Sequence, residues 1–190
     1  MSILLRPRRR FFSTPVFEAI RKLQSEDIDA AVRAFALEPQ QSRDLASDIE
    51  QPVKNPGTAK ILLAAIVWQQ EATMSEDDVI EQRLAYEPAT VEHILPQNPA
   101  AKSHWRRDFS EDFRKNYTHR LGNMTLLSHR INARISNGDF QRKRQEYAKS
   151  RLMLTRDLAS VDPITEAFIR DRHTRLVTLL CRRWRLPEPT

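Results

Sequence analysis

The sequence predicts an α+β chain, predominantly helical, in which a small two-stranded antiparallel hairpin is wrapped by helices. Three observations lead there. Apolar residues recur at three- and four-residue intervals along much of the chain. Residues 90–95 and the end of residues 121–127 read as short β-strands, the first rich in β-formers and stopped by Pro96. The second strand runs straight into a helical segment, so strand, long loop, strand and helix follow one another as a ββα unit.

In chain order, residues 1–14 carry Arg6, Arg8, Arg9 and Arg10 without periodicity and read as a basic arm. Residues 15–37 read as two short amphipathic helices, with Phe17, Ile20 and Leu23 in one and Ile28, Val32 and Phe35 in the other. Residues 38–57 contain Pro39, Pro52 and Pro56 and read as including a connection. The expected division is therefore a basic arm and helical segment over 1–55 and the main domain over 56–190. Thr58 can cap a helix to about residue 71 whose apolar content, Ile61 to Val67, predicts burial on nearly all sides.

A polar stretch leads to the first strand, and an excursion of roughly 25 residues follows, long enough to carry function. Trp105, Phe109, Phe113 and Tyr117 are its anchors, with base-stacking the less common use of such rings. Gly122 turns the chain into the second strand, and residues 128–136 form the next helix, with Ile131 and Ile135 on its buried side. After Asn137 and Gly138, Asp139 caps a helix in which Phe140, Tyr147 and Leu154 recur every seven residues, while Arg142, Lys143 and Arg144 make a cationic face. Asp162 and Pro163 are in the favoured order to start a last helix reaching Trp184, with Phe168, Leu176, Leu180 and Trp184 towards the core.

Composition narrows the function classes. The chain has 190 residues, 40% of them hydrophobic, enough for one ordinary core and a helical appendage. One cysteine, Cys181, excludes an internal disulfide framework and a multi-thiolate zinc site, which suits a cytoplasmic protein. The apolar run 61–68 is too short to span a bilayer, so no membrane partner is expected. A net charge of +6 favours polyanionic partners without identifying one.

Four polar residues interrupt the apolar pattern of the ββα unit: Glu92 and His93 at the first strand, Asn123 at the return and Asn132 in the helix. Phosphodiester hydrolysis needs a base for water, a divalent cation to neutralise charge on the phosphate and leaving oxygen, and a group that orients the base. A histidine, oxygen ligands and an asparagine match those needs. With these residues in order, the segment 92–97 (Glu-His-Ile-Leu-Pro-Gln), the segment 122–127 (Gly-Asn-Met-Thr-Leu-Leu), Asn132, residues 135–137 (Ile-Ser-Asn), Phe140, Lys143 and Tyr147 resemble the HNH nuclease domain at the C-terminus of GmrSD-type modification-dependent restriction endonucleases. The HNH nuclease of RNA-guided DNA-cutting enzymes is similar in its His-x-x-Pro-Gln run and in the nine-residue step between two asparagines.

The resemblance implies a ββα-metal fold and a metal-dependent DNA endonuclease. His93 would be the general base, Glu92 and Asn132 would hold one Mg²⁺ or Mn²⁺, and Asn123 would hydrogen-bond near the base and fix its ring. Arg142, Lys143 and Arg144 would contact phosphate. DNA would be the partner, together with a nucleotide-hydrolysing N-terminal domain or subunit, since no glycine-rich phosphate loop occurs here. Two neighbours on a regular strand point to opposite faces, so Glu92 and His93 reach one ion only if the strand twists or bulges at its end. His119 and His129 read as structural for want of a ligand cluster around them, and His104 and His173 as surface residues. The alternatives are a nuclease acting on RNA or single strands, and a DNA-binding or docking module without chemistry.

Overall fold

The computed structural model describes residues 39–70, 74–86 and 88–188. The chain divides into two compact units, residues 1–42 and 43–190. The arm at 1–14 and the helices expected over 15–37 lie outside the described residues. The second unit is the helix-rich α+β domain that the pattern predicts, with one two-stranded antiparallel sheet among the described residues.

Two helices replace polar or proline-containing stretches. Helix α1 (Pro39–Glu50) begins on a proline, which suits the first helical position, and buries Ala46 and Ile49 three residues apart. Helix α3 (Glu76–Tyr86) starts where Ser75 Oγ accepts from the Asp78 amide and places Glu76, Asp77 and Asp78 at the positive end of the helix dipole. Between them, α2 (Pro56–Gln70) is capped by Asn55, whose Oδ1 accepts from the Thr58 amide, so the cap lies three residues before the one expected. Leu62, Leu63, Ile66 and Val67 are buried, but Ile61 and Trp68 are exposed; the helix is buried on one broad side only.

Strands β1 (Ala89–His93) and β2 (Met124–Ser128) pair with Glu92 opposite Thr125 and His93 opposite Met124. Four of the five β2 residues are fully buried, because α2 and α6 (His129–Ile135) both pack on the two strands. The excursion between the strands is ordered by α4 (His104–Asp108) and α5 (Glu111–Tyr117), with Ser110 Oγ capping the second. Its aromatic residues build core: Trp105, Phe109 and Phe113 are buried with Ile94, Leu95, Phe140 and Tyr147. The Trp105 indole N–H donates to the Gly138 carbonyl, which satisfies its one polar atom.

Helix α7 (Phe140–Tyr147) starts at the Asp139 cap as expected but stops at Tyr147, and Leu154 belongs to a separate short helix, α8 (Met153–Arg156). The last helix, α9 (Glu166–Arg183), starts later than Asp162–Pro163 suggests, because the Thr165 hydroxyl accepts from the Phe168 amide. Its buried face includes Ile169, Leu176 and Leu180, whereas Trp184 caps its end at 37% exposure and is not core. Helix α9 lies against the 3₁₀ turn Leu121–Asn123, where Gly122 is required: a Cβ there would stand 2.3 Å from the Ile169 carbonyl oxygen.

Candidate functional site

The two neighbours at the end of β1 face apart, as strand geometry demands. Glu92 turns inward at 4% exposure. Its Oε1 accepts from Lys143 Nζ at 2.7 Å and from the Tyr147 hydroxyl at 2.9 Å. Lys143 Nζ also donates to the carbonyls of His93 at 2.6 Å and Ile94 at 3.2 Å. Burial pushes the Glu92 carboxyl up and the Lys143 ammonium down, while their contact opposes both shifts. Burial likewise drives the Tyr147 phenol well above its usual value, so it stays a donor.

This arrangement corrects the expected cationic face. Lys143 is wholly buried, because it lies three residues after Phe140 and four before Tyr147, on the apolar side of α7. Arg144 donates to the Ala159 carbonyl and pairs with Asp162, and Arg142 donates to the Arg134 carbonyl. The three residues do not form one open phosphate-binding surface.

His93 turns the other way and is partly exposed. The Gln97 Nε2 lies 3.1 Å from its Nδ1. The His119 ring meets it edge-on, with centroids 5.4 Å apart. Burial first, then the neighbouring His119 and Lys143 charges, lower the His93 pKa to about 4, which leaves the imidazole neutral at pH 7. A neutral ring has a lone pair with which to take a proton.

Asn123 does not touch that ring. Fully buried, it accepts from the Leu95 amide at 2.7 Å and donates to the carbonyls of Leu95 and Thr118 at 2.9 and 3.0 Å. It acts on backbone two residues beyond the base, and it ties the start of the excursion to its end. Asn132 sits on α6, with its Nδ2 donating to Thr90 Oγ1 at 3.1 Å and to the Val91 carbonyl at 3.0 Å. Its Oδ1 has no hydrogen-bond partner among the described residues.

Of the expected ligand pair, Glu92 thus has its Oε1 engaged by Lys143 and Tyr147, while Asn132 is held through its Nδ2. Among the described residues no group of three or more His, Cys, Asp or Glu is placed to hold a metal ion. His129 is exposed on α6. His173 is buried rather than on the surface, its Nε2 3.2 Å from the Glu50 carbonyl oxygen, because α9 covers the 3₁₀ turn.

Beside His93 opens a groove of about 450 Å³ lined by Gln97, Asn98, Arg106, Lys115, Thr118 and His119. Gln97 and His119 were missed as site residues. Gln97 lies within the 92–97 motif, one helical turn's distance in sequence from His93, whereas no spacing rule links His119 to a residue 26 positions earlier (119 − 93).

The model of the family described as GmrSD restriction endonucleases, C-terminal domain, matches residues 40–179. No curated protein and no solved structure matches the chain.

Proposed function

Because the chain belongs to the family of GmrSD restriction endonuclease C-terminal domains, a family of nucleases of restriction, we propose that it cuts DNA with His93 as the general base. The observation that carries this reading is the His93 imidazole set against Gln97 and His119, two residues that line a polar groove. His93 would take a proton from water as its oxygen attacks phosphorus. The bond to the 3′ oxygen breaks in line, leaving a 5′-phosphate and, after protonation from solvent, a 3′-hydroxyl. Lys143, through the His93 carbonyl, and Asn123, through Leu95, hold the backbone at the base and two residues beyond it.

Mg²⁺ or Mn²⁺ remains the proposed cofactor, supplying charge neutralisation at the phosphate when bound. Of the two ligands the resemblance implies, Asn132 has an amide oxygen without a partner among the described residues and Glu92 has its Oε1 engaged by Lys143 and Tyr147, so no step above depends on a Glu92–metal contact. We propose further that a nucleotide-hydrolysing domain or subunit partners this domain in the cytoplasm. Among the described residues no helix is long and apolar enough to cross a membrane.

The test is a supercoiled plasmid incubated with the protein in Mg²⁺, Mn²⁺ or EDTA. Nicking is expected with metal and should fall about 10²–10⁴-fold in His93→Ala with the fold retained. Cleavage by His93→Ala at the wild-type rate would remove this base from the mechanism. Tight, salt-sensitive DNA binding with no cleavage in any metal would make the chain a binding module instead.

A further inference from the structure

We propose that the groove beside His93 seats the sugar-phosphate backbone of the DNA strand to be cut, with Arg106, Lys115 and His119 as its phosphate contacts. The reading rests on the nuclease function above, and four observations carry it. The helix that the sequence offers as a phosphate-binding face has two of its three cations engaged elsewhere, since Lys143 is buried and Arg144 is tied to Asp162 and Ala159. The groove has the volume of a small-ligand site, about 300–1,000 Å³ in general, and so admits a nucleotide-sized group.

Its charge suits a polyanion. Arg106, Arg114 and Lys115 line it against one carboxylate, Glu111. Arg114 is locked in place by the Phe109 and Arg106 carbonyls. Arg106 donates only its Nε, to the Pro99 carbonyl, and its two terminal nitrogens have no partner among the described residues. Lys115 pairs with Glu111 where both side chains are about two-thirds exposed, a contact weak enough for a phosphate to displace. Finally, the groove is continuous with the base: His119 lines it and stands 5.4 Å from the His93 ring, and Gln97 lines it while touching His93. A strand lying along Arg106 and Lys115 therefore passes the one histidine poised to activate water.

The experiment reads binding, not cutting. A fluorescent DNA duplex is titrated with the full chain in EDTA over a series of NaCl concentrations. Each phosphate contact adds about 0.9 to the slope of log affinity against log salt. Lys115→Gln should lower the slope by about 0.9, and Arg106→Gln with Lys115→Gln by about 1.8. Among the described residues Lys115 has Glu111 as its one ion-pair partner, at the surface, so its variant keeps the test valid even where Arg106→Gln disturbs the loop at Pro99. Arg182→Gln, which removes an equal charge from the exposed far end of α9, should leave the slope unchanged.

A wild-type slope in both groove variants overturns the proposal, and so does an equal loss in Arg182→Gln, which would make net charge the whole cause. A lower slope confined to the groove variants supports it even if the wild-type protein cuts nothing in Mg²⁺, an outcome that would fail the nuclease reading alone. Conversely, a wild-type slope alongside intact cleavage would fail the groove and leave the nuclease standing.

Discussion

Lys143 takes a full charge into the interior and surrounds it with three oxygens, from Glu92, His93 and Ile94. Taking two charges out of water costs several kcal/mol per ion, so such a pair is retained only with good geometry and further hydrogen bonds, which Tyr147 and the two carbonyls provide. Removing one partner leaves the other uncompensated. Lys143→Met should therefore destabilise the fold by about 3–5 kcal/mol, and adding Glu92→Leu should recover most of the loss. Urea unfolding of the two variants checks this; a single variant within about 1 kcal/mol of wild type would show that the pair does not anchor the interior. The burial of Lys143 was legible in principle. Phe140, Lys143 and Tyr147 share the apolar side of one helix, and position along the helix is a stronger signal than membership of a run of three basic residues.

Among elements, the two strands and the helix after them follow from apolar pattern and proline punctuation, and all three are present near their expected places. Helices α1 and α3 were hidden because their sequences are polar; Ser75 and the acidic first turn of α3 were the readable signs. The pairing of Glu92 with α7 was not readable, since alternation along a strand says that neighbours diverge but not which of them turns inward. Helix α9 positions the site from behind. Its Arg172 donates to the carbonyls of Leu121, Gly122 and Met124, and its backbone comes too close to Gly122 for any side chain. Gly122→Ala should push the 3₁₀ turn off the helix, costing about 1–3 kcal/mol and shifting the neighbouring Asn123 away from Leu95. Thermal unfolding and plasmid nicking together check it, and a variant as stable and active as wild type would mean that α9 moves aside freely.

For the molecule as a whole, acid should be the weak direction. His93 and His173 are both held near 4, chiefly by burial, against about 6.5 in an unfolded chain. Below 6.5 the unfolded state binds protons that the folded state refuses, so the histidine contribution is flat above that pH and becomes destabilising as pH falls from about 6.5 to about 4. The urea midpoint should decline over that window, and His173→Gln should reduce the decline; equal pH profiles for variant and wild type would exclude His173 as a cause. The same continuity of core and site has a further consequence at Leu95. Its amide proton is given to the side chain of Asn123 in the interior, beside the aromatic core and away from any fraying helix end. Exchange with solvent deuterium there requires the protein to open as a unit and not the local breathing of a loop. One amide next to the candidate base is thus a clock for the stability of the entire domain.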